Sequence, residues 1–127
     1  MTTTETTIGE LLGKTMRQVT RGRDEDGGDC VDFEAVTGER WRMHHEQDCC
    51  ELCDIEDVAG DLDDLVGVPI VMAEESTSSD DPRDPLDGSF TWTFYRLATA
   101  RGYVTIRWYG SSNGCYGETA SFDRISP

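Results

Sequence analysis

Apolar and polar residues alternate with a period of two along much of this chain, the spacing of strands that bury one face. Val31, Phe33 and Ala35 alternate with Asp32 and Glu34, Thr37-Gly38-Glu39 supplies a turn, and Arg40 to Glu46 alternates again, which together predict a hairpin. Trp41, Met43 and His45 then share one face, and Arg42 and His44 share the other. Phe90 to Ala98 and Tyr103 to Tyr109 are the strongest strand signals, joined by a short turn through Arg101-Gly102. The same periodicity puts Trp92, Phe94, Val104, Ile106 and Trp108 on one face. Thr91, Thr93, Tyr95, Tyr103, Thr105, Arg107 and Tyr109 fall on the other.

The weaker signals fill in the rest. Residues 1–7, rich in threonine, predict a disordered start, and Ile8 to Gly13 a single helical turn closed by glycine. Lys14 to Arg21 predicts a first strand, Arg23 to Asp29 a Gly/Asp loop, and Leu52 to Val58 a further strand. Gly60 to Gly67 reads as a short helix with Asp61 as N-cap and a glycine stop. The apolar run Val68 to Ala73 fits a strand buried on both faces, and residues 74–88, rich in Ser, Asp and Pro, a long mobile loop. Ser111 to Gly114 turns the chain into a last strand over Tyr116 to Ile125. The sum is a single domain over 8–127 of the α+β class. It is mostly antiparallel sheet, seven or eight strands with one or two short helices.

Length supports the single domain, since 127 residues suffice for one hydrophobic core and not for two substantial ones. No run approaches the roughly 18 apolar residues of a membrane span, and Met1 to Glu5 has neither the basic nor the apolar region of a signal peptide. A soluble chain in the cytoplasm is expected. Charge narrows the partners: 26 acids against 11 bases give a formal net charge of −15, spread along the whole chain. Direct binding to nucleic-acid phosphate is therefore not expected. Three roles for the charge remain open: solubility, adaptation to a salty cytoplasm, or imitation of a nucleic acid's charge to occupy a basic protein groove. One lysine, Lys14, against ten arginines hints at a GC-rich genome.

The densest chemistry is His44-His45-Glu46-Gln47-Asp48-Cys49-Cys50-Glu51, with Cys53 two residues on. The five cysteines of the chain are odd in number and irregularly spaced, which favours reduced thiols or a metal over a disulfide framework. A zinc site would combine His45 or His44 with Cys50 and Cys53, at zinc-knuckle spacing, and a fourth ligand from Cys49, Cys30 or Cys115. A thiol nucleophile would take His45 or His44 as base, oriented by Glu46 or Asp48. Against both stands a plainer reading: buried cysteines and His45 as packing, with Glu46, Asp48 and Glu51 accepting from backbone amides in a turn. A polar binding pocket built from the same segment is the fourth.

Other signatures are missing. Neither Asp24 to Asp29 nor Asp57 to Val68 has the glycine and terminal glutamate of a helix-loop-helix calcium site, and no phosphate loop, nucleophile elbow or dinucleotide fingerprint occurs. The second candidate surface is the aromatic hairpin, where Tyr95, Tyr103 and Tyr109 could stack on a planar ligand while Arg107 takes a phosphate or carboxylate. The competing reading covers that face and makes its rings a second core.

His45 to Glu51, Ile55 to Leu62, Trp92-Thr93-Phe94-Tyr95 and Gly102 to Gly110 together resemble a family of small proteins of unknown function common in tailed bacteriophages, notably those of actinobacteria. The resemblance spans almost the whole chain, with the HEQDCCE segment its most specific part. It implies a phage-type origin and a reduced host cytoplasm. The family pattern includes Cys49 and Cys50, while Cys30, Cys53 and Cys115 are often other residues. The expected function is a non-enzymatic accessory protein that binds and neutralises a host component. One form sequesters a small anionic molecule, such as a nucleotide signal, through Arg42, His44, Arg107 and the tyrosines. Another sets the acidic surface, with the carboxylates of 54–64 and 74–87, against a basic site on a host nucleic-acid enzyme. A small zinc- or thiol-dependent protein is the third, and a homodimer through an exposed sheet edge is a further expectation.

Overall fold

The computed structural model describes residues 2–114 and 117–126. Its strands are β1 (Thr2–Glu5), β2 (Met16–Arg23), β3 (Asp29–Ala35), β4 (Arg40–His44), β5 (Leu52–Ala59), β6 (Met72–Ser78), β7 (Ser89–Thr99), β8 (Gly102–Ser112) and β9 (Ser121–Ser126). They form two antiparallel sheets, a five-stranded one in the order β1-β9-β4-β3-β2 and a four-stranded one in the order β5-β8-β7-β6. Among the described residues the only helical pieces are two 3₁₀ turns, Ile8–Leu11 and Leu62–Leu65. The architecture is therefore mostly antiparallel sheet, and the α component of the expected α+β class shrinks to these turns.

One core lies between the sheets. Val31, Phe33, Trp41, Met43 and Phe122 come from the five-stranded sheet, and Ile55, Leu97, Val104, Ile106 and Trp108 from the four-stranded one. Ile8, Leu11 and Leu65 of the 3₁₀ turns, with Ile70, join the same cluster. Short turns serve here because each need bury only one or two side chains against sheets that already supply the layers. Asp61 accepts from the Asp63 amide at 2.9 Å, as expected of an N-cap, and Gly67 leaves the second turn at φ +87°.

The β3–β4 hairpin matches its alternation: Trp41 and Met43 are fully buried, and Arg42 and His44 point away from the core. Four expectations need correction. Thr2–Glu5 is not disordered but pairs with β9, whose backbone offers a free edge. The run Val68 to Ala73 is not a doubly buried strand. Ile70 is buried but Val71 is 65% exposed, and the strand instead spans Met72–Ser78 at the edge of its sheet, where Glu74, Glu75, Ser76 and Thr77 are solvated. The long loop is accordingly shortened to 79–88. The last strand begins at Ser121, and the start of its expected range, Tyr116, lies outside the described residues.

The fourth correction concerns the aromatic hairpin. The turn at Ala100-Arg101 pairs Thr99 with Gly102, so even positions of β7 stand beside odd positions of β8. Thr93, Tyr95 and Leu97 therefore face the core with Trp108, Ile106 and Val104. Trp92, Phe94 and Arg96 share the outer face with Tyr109, Arg107 and Thr105. A register shifted by one residue moves a whole side-chain set to the other face, and that is the difference here.

Candidate functional site

The HEQDCCE segment leaves the end of β4 and returns as β5, crossing from one sheet to the other. Two requirements shape it: a buried carboxylate must be satisfied, and turn amides must find acceptors. Glu51 answers both. Its Oε2 accepts from the Asp48 amide at 2.8 Å and faces His45 Nε2 at 2.8 Å, while its Oε1 accepts from the Cys49 amide at 2.9 Å. Burial works to raise the Glu51 carboxyl, but those amides and the His45 ring outweigh it and hold the group down at about 2. Gln47 Nε2 donates to the carbonyls of Glu51 at 2.7 Å and Cys49 at 3.2 Å, tightening the same turn. His45 Nδ1 donates to the Thr119 carbonyl at 2.8 Å, which ties the loop to the segment before β9.

These bonds leave the tip exposed. Glu46, Asp48, Cys49 and Cys50 are all solvated, and Cys49 and Cys50 are joined as a disulfide between adjacent residues. The expectation of reduced thiols at these two positions is thereby corrected. Cys53 lies apart, its Sγ donating to the Glu118 carbonyl at 3.6 Å, and burial pushes its thiol up to about 12. Burial raises Cys30 as well, inside the five-stranded sheet.

The zinc set His45, Cys49, Cys50 and Cys53 is thus not assembled. The imidazole is bonded at both nitrogens, the first two sulfurs are bonded to each other, and the third points to the core. Among the described residues no group of three or more His, Cys, Asp or Glu side chains is arranged to hold a metal ion, and Cys115 lies outside those residues. The Cys–His nucleophile fails for the same reason, because His45 is engaged by Glu51 and Thr119 and not by a thiol. His44, the other base considered, faces Asp123 with Nε2 and Oδ2 2.6 Å apart. The turn-making reading of Glu51 describes what the segment does, and Glu46 and Asp48 leave their carboxylates in solvent.

Beside the segment, an open cleft of about 650 Å³ separates the edge strands β2 and β5. Arg21, Arg23, Asp26, Asp54, Glu56 and Arg83 line it, with His45, Gln47 and Glu51 along one wall. Within it Arg83 pairs with Glu56 at 2.6 Å and Asp54 at 3.2 Å, and Arg23 donates to the Gly27 carbonyl. Asp29 caps the β5 edge by accepting from the Ile55 amide at 2.9 Å.

The hairpin residues do not form the expected ligand platform. Tyr95 is in the core, and burial raises its hydroxyl far above the ordinary range. Tyr103 stands 74% exposed beside the turn. Tyr109 is on the outer face yet fully buried, because the 79–88 loop covers it: its hydroxyl donates to Asp87 at 2.6 Å and accepts from the Arg83 amide at 3.2 Å, and the Arg83 guanidinium sits 4.4 Å over its ring. Phe90 stacks on Tyr109, Trp92 meets it edge-on at 4.5 Å, and Arg107 lies 5.3 Å over Trp92 with its Nε buried and, among the described residues, without a hydrogen-bond partner. Arg42 is on the opposite side of the protein, bound in two-pronged fashion by Asp32 and approached by Glu25 at 3.5 Å. The candidate residues are therefore split between two outer faces and the core.

Sequence reasoning gave no role to Gln47, Arg83 and Glu118, and took Asp87 only as one carboxylate of the acidic surface. Arg83 had a signal, as the single base within residues 74–88. Glu118 had none, since its bonds to Thr91 and Ser112 depend on where the chain crosses β8.

No curated protein and no solved structure matches the chain. A family model described as a domain of unknown function (DUF7448) matches residues 9–122, and the chain belongs to that family.

Proposed function

We propose that this protein is a non-enzymatic accessory protein of phage type that acts in the host cytoplasm by setting its acidic surface against a basic site on a host protein. The observation that carries the reading is how the few bases are used. Six of the eleven bases, Lys14, Arg17, Arg42, Arg83, Arg101 and Arg124, are paired with the chain's own carboxylates, and the 26 acids leave a large surplus of negative charge. Asp57, Asp61 and Asp63 at one edge of the four-stranded sheet and Glu74 and Glu75 at the other are among the exposed ones. Such a field attracts and orients a basic partner, and carboxylates on the β6 edge also oppose pairing with a second copy there.

Sequestration of a small anion is less well supported. It needs Arg42, His44, Arg107 and the tyrosines to converge, and Arg42 and His44 are already held by Asp32 and Asp123 on the face opposite Arg107.

The test is capture of host proteins on the immobilised chain across a salt series, with duplex DNA as competitor and with Asp61→Lys/Asp63→Lys and Glu74→Lys/Glu75→Lys as comparison proteins. The reading expects a nucleic-acid-binding host protein that is released steeply by salt, displaced by DNA and lost with the charge reversals. Capture indifferent to salt and to charge reversal counts against it. A retained organic anion in native mass spectrometry would return the argument to sequestration.

A further inference from the structure

The exposed Cys49–Cys50 disulfide is a feature that the acidic-surface reading leaves unused. A crosslink stabilises a fold mainly by closing a loop of chain in the unfolded state, and a bond between neighbours closes almost none. Its loop is held without it, by the Glu51 carboxylate on the amides of Asp48 and Cys49, by Gln47 on two carbonyls and by His45 on Thr119. A structural staple would be redundant here. The bond is instead presented: both cysteines are solvated, and Cys50 lines a shallow hollow of about 240 Å³ with exposed Leu52 and Leu86. Cys30 is buried, and Cys53 is half-buried with its Sγ on the Glu118 carbonyl.

We propose that Cys49 and Cys50 form a redox site that cycles between an adjacent-residue disulfide and a dithiol by exchange with a dithiol reductant. A thiolate of the reductant attacks Cys50 Sγ from the hollow; its sulfur bonds to Cys50, the Cys49–Cys50 bond breaks, and Cys49 leaves with the electron pair and takes up a proton. The reductant's second thiol then attacks its own sulfur in the mixed disulfide, releasing Cys50 as a thiol. Two electrons and two protons pass to the protein, and the reductant leaves as its disulfide. A low-molecular-weight disulfide, such as oxidised glutathione, reverses the sequence. In the reduced state the chain offers two neighbouring thiols on a held turn, an arrangement suited to chelating a trivalent arsenical.

The experiment uses the full purified chain, oxidised with glutathione disulfide, freed of it and then alkylated, followed by peptide mapping. The peptide carrying Cys49 and Cys50 should be unlabelled and two hydrogens lighter than its reduced form, and should gain both labels only after dithiothreitol. Reduced protein should bind one phenylarsine oxide per chain, lose that binding in C49S and in C50S, and return to the disulfide with oxidised glutathione. Melting temperatures of the oxidised, reduced and C49S/C50S proteins should nearly coincide. Labelling of both cysteines after that oxidation, a bond from either to Cys115 or to another chain, or failure to reoxidise after reduction overturns the proposal. A large fall in melting temperature on reduction, shared by C49S/C50S, identifies a structural crosslink and overturns it equally.

Discussion

His45 Nε2 lies 2.8 Å from the Glu51 carboxylate while His45 Nδ1 lies 2.8 Å from the Thr119 carbonyl, so one imidazole joins the turn after β4 to the segment before β9. A carbonyl only accepts, so Nδ1 carries a proton in this arrangement, and Nε2 meets a group that also accepts when ionised. The pair therefore holds the HEQDCCE loop in a place where the Glu51 carboxylate is shielded from water.

A pH dependence follows from Glu51. Its carboxyl is held at about 2 in the folded protein against an ordinary value of 4.5, so the unfolded chain binds the proton more tightly. The stabilisation is complete above about 4.5 and is lost as pH falls from there towards about 2. Thermal melts of the native chain and of Glu51→Gln should show the variant lower near neutral pH, with a gap that narrows across this window. A gap that stays constant down to pH 2 contradicts the assignment.

Tyr109 fastens the 79–88 loop through three contacts, two of them made by its hydroxyl. Tyr109→Phe removes both hydrogen bonds while keeping the ring beneath Arg83. It should cost about 2 kcal/mol in urea denaturation, at about 1 kcal/mol net for each of the two hydrogen bonds. Amide exchange should rise within 79–88 and stay unchanged in β3 and β4. Uniform acceleration across both sheets would mean that the hydroxyl supports the fold as a whole and not this loop.

The parts that sequence made legible are those where one strand carries its own signal. Trp41 and Met43 alternate with Arg42 and His44 whatever the neighbouring strand does, so the β3–β4 hairpin and its buried face are evident from spacing. β6 is not legible in this way. As an edge strand it buries little, and Glu74-Glu75-Ser76-Thr77 reads as loop until β7 is placed beside it. The faces of the aromatic hairpin depend on whether the turn joins even to even or even to odd positions, and a turn of two residues at Ala100-Arg101 decided it. At the candidate site Glu51 was readable as an acceptor for turn amides. The Thr119 and Glu118 carbonyls were not, because they come from the other end of the chain.

Gly110 shows how closely that distant segment approaches. A Cβ built there would lie 1.9 Å from the Glu118 carbonyl oxygen and 2.7 Å from its carbon, and both are backbone atoms that no rotamer can move. Gly110→Ala should destabilise by roughly 2–3 kcal/mol, at the upper end of overpacking costs. The displaced segment includes Thr119, so amide exchange should also rise at Asp48 and Cys49, on the loop that His45 ties to it. A stable variant with an unchanged loop would show that the segment yields without strain.

Thr93 offers the opposite sign. It faces the core at full burial beside Trp108, and among the described residues its Oγ1 has no hydrogen-bond partner. A buried hydroxyl without a partner forfeits its hydration with nothing in return, whereas a methyl group in the same space makes dispersion contacts. Valine has nearly the same shape and keeps the branched Cβ that suits a strand. Thr93→Val should therefore stabilise the protein by about 1 kcal/mol, the lower bound of the penalty for an unsatisfied buried group. Urea denaturation reads this directly, as a higher midpoint with an unchanged slope. A fall in the midpoint would mean that the hydroxyl is bonded in solution, and that the four-stranded sheet carries a polar contact at the centre of its inner face.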